Sequence, residues 1–386
     1  MNQLMKQQRA SQSAILSSLS LFCFVLFLGC TKSQNEILVG EYGSLTGSTA
    51  TFGLSTNKGI KMALDEANEK GGVRGKKIKL ITLDDQGKPD EAAAAVTRLI
   101  TQNKVVAVIG EVASSLTEAA APIAQKNKIP LITPSSTNPS ITKGRDFVFR
   151  VCFIDPFQGL VMAKFAWENL KIKKVAIFRD KANLYSIGLA DAFIESFQKL
   201  GGTIVTDLSY QEKDIDFKAQ LTQMKSKSPE AIFIPGYYTE VGLIARQAVQ
   251  LGLKVPLLGG DGWDSTRLHE IGKEAINGHY YSNHYSTEST DPSVQDFIKK
   301  FKVRYNEVPD GLAALGYDAA KILVAAMERT TEVTPQKIRD ELAKTKDFLG
   351  VTGKITLNEN RDAVKPAVIV QIDNEKRKFV TTVNPL

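Results

Sequence analysis

Residues able to do chemistry gather in one stretch, Val105–Thr142, VVAVIGEVASSLTEAAAPIAQKNKIPLITPSSTNPSIT. Ser114, Ser115 and Thr117 stand where an alanine-rich helical segment opens, and a hydroxyl at a helix start caps free N–H groups. Ser135, Ser136 and Thr137 lie in a turn dense in Pro, Ser, Thr and Asn. Hydroxyls beside a helix N-terminus favour an anion, a carboxylate in particular. The opposite charge of a small zwitterion needs an acid. Glu240 begins a helix directly after AIFIPGYYTE opens as an apolar run, and Asp261 lies in GGDGWDS after another such run. Each also has an ordinary reading: an acid at a helix start favours the dipole, and an aspartate in such a segment is a common turn former. Phe52, Tyr185, Tyr237 and Trp263 follow expected strand ends in polar surroundings. One such ring is a half-buried surface residue; four together favour a pocket wall.

Catalytic and cofactor patterns are missing. His269, His279 and His284 have no ligand-like spacing with one another or with cysteine, so no metal is expected. There is no GxSxG elbow. The segment after the first strand, GSLTGSTATFG, lacks both the lysine of a phosphate-binding loop and the GxGxxG spacing, so no nucleotide cofactor and no enzyme activity are expected. Cys152, alone in VFRVCFI, reads as core filler rather than nucleophile.

Parallel strands must present these turns. Ile37–Tyr42, Lys77–Leu83, Val105–Ile109 and Pro130–Thr133 are strand-like runs separated by helical segments Ile60–Lys70, Pro89–Asn103 and the one opened by Ser114. The alternation restarts with strands Lys174–Phe178, Thr203–Leu208, Ala231–Pro235 and Val255–Leu258 and helices Ile187–Leu200, Phe217–Lys225 and Val241–Gly252. Two such runs predict an α/β protein with two doubly wound parallel-sheet lobes. Ligands in such sheets sit beyond the carboxyl ends of the strands. After Gly278 helices dominate, and Gly353–Leu357 with Pro366–Ile372 reads as a closing antiparallel pair, so the chain must pass between lobes more than once.

The 386 residues carry a formal charge of +7. The basic residues are scattered without interleaved aromatics, which argues against a nucleic-acid partner. The chain opens with Lys6 and Arg9, an apolar core ending at Leu28, and FLGC at Cys30. Leu19–Leu28 is too short to span a bilayer, and the pattern predicts a secretory signal over residues 1–29. Its removal takes two positive charges and Cys23 with it. The cleavage region resembles a bacterial lipobox, which implies lipidation of Cys30, although Phe27 and Leu28 depart from the preferred residues.

The stretch Val108–Thr142 resembles the ligand-binding segment of the type I periplasmic binding proteins, and within them the leucine/isoleucine/valine-binding proteins that serve ABC transporters. Gly71-Gly72-Val73 with Gly75, Asp84-Asp85, Asp155-Pro156-Phe157-Gln158-Gly159, and Gly236-Tyr237 with Glu240 match as well, and the similarity spans about residues 36–372. The resemblance implies lobes of 36–155 plus 285–352 and of 156–284 plus 353–386, joined by three crossings. It implies that Ser114 and Thr137 bind the α-carboxylate and amine of an amino acid. The Ser135 carbonyl and Glu240 would hold the ammonium, Phe52 and Tyr185 would close over the ligand, and Asp261 would contact the amine as in some relatives. The implied function is capture of a free amino acid, most naturally a branched-chain one, for an ABC permease and ATPase complex. The implied location is the periplasm or cell surface, anchored to a membrane by lipid. The alternative on the same fold is a sensor of amides or aromatic acids. Two departures stand out. The disulfide of some members is absent, with DDQGKP and Ala113 where its cysteines would be, and Phe52 replaces a larger aromatic.

Overall fold

The computed structural model describes residues 36–385; the expected signal and Cys30 lie outside the described residues. The first sheet is built from β1 (Glu36–Gly43), β2 (Lys77–Asp84), β3 (Ala107–Ile109), β4 (Leu131–Thr133) and β5 (Val148–Arg150), in the order β2-β1-β3-β4-β5. β1 pairs with β3, β3 with β4 and β4 with β5, all in parallel. The short central strands are buried along their whole length, which is why they read as unbroken apolar runs. Helices α1 (Ala50–Glu69), α2 (Pro89–Thr101) and α3 (Ser114–Asn127) connect them.

α4 (Asp155–Lys164) follows the first passage to the second sheet. There β6 (Lys174–Asp180), β7 (Thr203–Tyr210), β8 (Ala231–Phe233), β9 (Leu257–Gly259) and β10 (Tyr280–Asn283) form the parallel part. Their helices include α5 (Leu184–Lys199), α6 (Lys218–Ser226), α7 (Tyr238–Gln250) and α8 (Thr266–Gly272). The chain then returns through α9 (Pro292–Tyr305) to α10 (Gly311–Arg329), which packs along α1, and α11 (Pro335–Leu342). The two doubly wound sheets expected from the alternation are therefore both present.

The tail differs from its sequence reading. β12 (Gly353–Leu357) does not pair with the strand that follows Pro366. It pairs with β11 (Phe348–Gly350) and β13 (Ala363–Val364) in a small antiparallel sheet. This sheet stays with the first lobe: Arg150 N–H of β5 donates to the Arg361 carbonyl, and Asp318 of α10 accepts the Val351 and Thr352 N–H groups at 2.9 Å. Only at β14 (Ala367–Asp373) does the chain rejoin the second sheet, antiparallel to β10, with β15 (Lys376–Val383) at the edge. The third crossing is thus the short link around Lys365, later than residue 353. Alternation of apolar residues gives each strand a face but not its partner, and β12 and β14 carry similar patterns.

α1 starts at Ala50, ten residues before the expected Ile60, with Phe52 in its first turn. Gly53 and Gly59 disguised it as a turn. In the helix they serve close approach instead: a Cβ at Gly53 would overlap the backbone of Ser44, and one at Gly59 the Ala313 carbonyl of α10. Gly59→Ala adds a better helix former, worth about 1 kcal/mol, but forces α1 and α10 apart, at a cost of about 1–3 kcal/mol. The expected result is a net loss of stability in urea denaturation, with α1 still helical.

Candidate functional site

The carboxyl ends of parallel strands from both sheets converge on one cavity of about 10 Å³. On the first-lobe side it is walled by Phe52, Val112, Ser135 and Leu312, on the other by Tyr185, Tyr237, Asp261 and Gly262. That volume suits roughly one water, so the walls must part to admit anything of amino-acid size. Contacts across the cleft hold the closed shape. Ser48 Oγ donates to Glu212 at 2.8 Å, the Tyr238 hydroxyl to the Ser48 carbonyl at 2.8 Å, and Leu184 N–H to Ser115 Oγ at 3.0 Å. Thr51 and Ser265 hydroxyls meet at 3.0 Å.

α3 begins at Ser114 after the extended Ala113, and no side chain caps it. Ser114 Oγ accepts the Asn138 N–H at 3.3 Å, which draws the Ser135–Asn138 turn over the helix start. Arg150, fully buried, fixes that turn from behind: Nη1 donates to the Ser136 carbonyl at 2.6 Å, Nη2 to the Asn138 carbonyl at 2.9 Å, and Nε to Asp362 at 2.6 Å. The Ser136 hydroxyl is committed within the lobe, to Thr117 at 2.7 Å and to the Glu111 and Val112 carbonyls at 3.1 Å. Thr137 is fully buried, with its hydroxyl towards the Asp155 carboxyl.

Tyr185 and Tyr237 stack with centroids 5.4 Å apart, and Phe52 meets Tyr237 edge-on at 5.3 Å. The Tyr185 hydroxyl accepts the Gly262 N–H at 3.2 Å. Trp263, expected in the same wall, is instead a core residue: it is buried beneath β9 at Gly259, and its Nε1 donates to the Ile234 carbonyl at 3.0 Å.

The two candidate acids separate. Asp261 reaches the cavity, where Ser135 Oγ donates to Oδ2 at 3.3 Å across the cleft and Gln158 Nε2 to Oδ1 at 2.9 Å. Burial opposes its ionisation, but donors from His284, Gln158 and Tyr185 outweigh it and hold the carboxyl below the usual aspartate range. Glu240 does not line the cavity; its Oε1 accepts the Lys213 N–H at 3.0 Å, bracing the loop after β7. Of the expected residues the cavity therefore brings together Phe52 and Ser135 on one side and Tyr185, Tyr237 and Asp261 on the other, while Ser114, Ser136 and Thr137 stand behind Ser135 in the turn and helix start and do not line it.

Sequence reasoning assigned no role to Gln158, His284, Glu111 or Asp155. Glu111 follows β3, and its buried carboxyl accepts from Ser44 N–H and Oγ at 3.0 Å and from the Ala113 N–H, with burial pushing it up to about 8. Nothing in the residue pattern distinguishes it from a turn acid. Among the described residues no cluster of His, Cys, Asp and Glu could hold a metal, and Cys152 is a buried free thiol pushed up to about 12 by burial.

Two parallel-sheet lobes whose strand ends meet at one cleft define a two-lobed binding-protein fold. Residues 36–377 match the periplasmic binding protein family. A solved leucine-binding protein LivK of Thermotoga maritima is 43% identical, with a TM-score of 0.87, covering 90% of this chain and 99% of its own. LivJ of Streptococcus pneumoniae, a branched-chain amino acid transporter substrate-binding protein solved with isoleucine, is 37% identical, with a TM-score of 0.86, over 91% of this chain and 100% of its own. A Leu/Ile/Val-binding protein homolog of Brucella melitensis is 30% identical over 91% of this chain and 95% of its own. The chain belongs to the periplasmic binding protein family, in its type I, branched-chain amino acid branch.

Asp155, at the start of α4, is fully buried, and burial pushes its carboxyl up to about 8 although the Thr137 hydroxyl favours the charged form. Between its ordinary 3.8 and about 8 the folded protein binds more protons there than the unfolded chain. This group's contribution to stability is therefore full below pH 3.8 and lost as pH rises towards 8. Asp155→Asn removes that contribution. Denaturant midpoints measured from pH 5 to 8 should fall less steeply in the variant, by up to about 1.4 kcal/mol per pH unit.

Proposed function

We propose that the protein is an extracytoplasmic substrate-binding lipoprotein that captures a branched-chain amino acid, leucine, isoleucine or valine, and hands it to the permease and ATPase of an ABC importer. The observation that carries this reading is Asp261, an anion inside the closed cleft, set opposite an uncapped helix N-terminus and a hydroxyl turn. That arrangement complements a zwitterion. The ligand carboxylate sits at the start of α3 with Ser114 and the Ser135–Thr137 turn. The ammonium pairs with Asp261 rather than with Glu240, which is spent on Lys213. Phe52, Tyr185 and Tyr237 enclose the side chain. The leucine-binding and isoleucine-bound relatives support the ligand class.

An acid lacking an amine, such as benzoate, would bring its carboxylate towards Asp261 with no cation to offset it, and this disfavours the aromatic-acid alternative. Capture needs no bond to break, and the ligand leaves unchanged. Thermal shift of the chain lacking residues 1–30, screened against leucine, isoleucine, valine, simple amides and benzoate, tests the assignment. A ligand present at a hundredfold excess over its Kd adds about 2.7 kcal/mol and raises Tm. The branched-chain amino acids should do so and benzoate should not; the reverse would move the protein to the sensor reading. Asp261→Ala should weaken leucine binding by about 3–5 kcal/mol, hundreds-fold or more, because the buried ammonium loses its partner. Glu240→Ala should cost less than about tenfold. Cys30→Ser should shift the exported chain from the membrane fraction to the soluble one, and a chain that stays membrane-bound would remove the lipid anchor.

A further inference from the structure

The second crossing between the lobes carries an imidazole to the acid of the cleft. His284 follows directly on β10, is 2% exposed, and stacks on Phe153 of the first crossing with centroids 3.9 Å apart. Its Nε2 lies 3.0 Å from Asp261 Oδ2, while Nδ1 has no hydrogen-bond partner in the protein. The single proton of a neutral ring therefore belongs on Nε2, where an acceptor waits. The other donors to Asp261, Gln158, Ser135 and Tyr185, are uncharged, and Gln158 is itself held by Ser282 of β10 at 3.0 Å. With His284 neutral, the carboxylate keeps a whole negative charge for whatever cation enters the cavity.

The remaining charged groups facing the ring come from two other elements. Lys365, on the third crossing, is engaged with Thr352 and Asp318, and Asp264 lies in the turn after β9, paired with Arg377 at 2.9 Å. Asp155, the other acid near Asp261, lies on the first crossing. Burial lowers the affinity of His284 for a second proton, with Asp261 opposing, so the ring is neutral at pH 7 and charges only below its ordinary 6.5.

We propose that His284 is the positioning residue of the binding acid: it aims Asp261 at the cavity, and once protonated it becomes a rival cation to the ligand's ammonium, so capture weakens in acid. This rests on the zwitterion reading above. The role joins ligand recognition to the hinge, because the same side chain belongs to a crossing segment and touches the acid.

Calorimetric titration of leucine into the wild type, His284→Gln and His284→Ala over pH 5–8 tests it. Wild-type affinity should be level above pH 6.5 and fall below it, approaching about tenfold per pH unit once the free protein's ring is charged. His284→Gln keeps an N–H donor that cannot titrate. It should bind more weakly than wild type at pH 7.5 but more tightly than His284→Ala, and it should lose the fall below pH 6.5. Parallel pH profiles for wild type and His284→Gln would overturn the proposal. A second measurement needs no ligand and no His284 variant: histidine-selective NMR titration of the wild type and Asp261→Asn. The His284 ring should titrate lower still in Asp261→Asn, since the carboxylate that favours its charged form is gone, and an unchanged titration would overturn the pairing. Should leucine fail to bind while that NMR shift appears, the ligand assignment falls and the pairing of His284 with Asp261 is upheld.

Discussion

A zwitterion taken out of water must have both charges answered, because an unpaired buried ion costs several kcal/mol. On the function proposed above, that constraint shapes the closed cleft. One wall offers only neutral donors, the α3 N-terminus and a turn of hydroxyls, which suit a carboxylate without bringing a competing cation. The other offers a single anion. Asp261 can remain ionised while buried because hydrogen-bond donors reach both of its oxygens. Ser135 reaches it from the opposite lobe, so the acid that would receive the ammonium also takes part in drawing the walls together.

The fold supplies these positions through two doubly wound sheets whose strand ends face each other. Precision comes from behind the turns. Arg150 ties the Ser136 and Asn138 carbonyls to Asp362, and its own charge is matched there at 2.6 Å, so a buried guanidinium holds the turn without adding positive charge to the cavity. Asp362 stands in the loop before β13, which explains why the small tail sheet belongs to the first lobe: it completes the support of the carboxylate-side turn.

What could be read in the sequence was local, and what could not was a choice of partner. The strands announced themselves as β-branched runs, and the hydroxyl turns followed them at strand ends, so Ser114 and Ser135–Thr137 could be picked out before any coordinates. Glu240 and Asp261 look alike by the same test, since both follow a strand of the second sheet. Their difference is tertiary: the Lys213 loop folds back onto Glu240, whereas Gln158, His284 and Ser135 converge on Asp261 from three separate segments. Trp263 misled for the same reason, because the glycine that makes room for its ring, Gly259, says nothing of that in a pattern. Glycines hid the start of α1, and the partner of β12 depended on where the chain crossed. The resemblance spanned about residues 36–372 and still left these contacts open, because the motif fixes which residues stand near the site and not which of them face it.

The hinge shows why a ligand can govern the closed shape. The cleft is held by scattered hydrogen bonds between Ser48, Thr51, Ser115 and their partners, each worth a net ~0.5–1.5 kcal/mol at most. Set against them are buried polar atoms near the crossings with no partner in the protein, Gln158 Oε1 and His284 Nδ1. Each unsatisfied group costs about 1–3 kcal/mol. A ligand that touches both lobes adds contacts to the few that join them, and so favours the closed shape by its contacts to the second lobe.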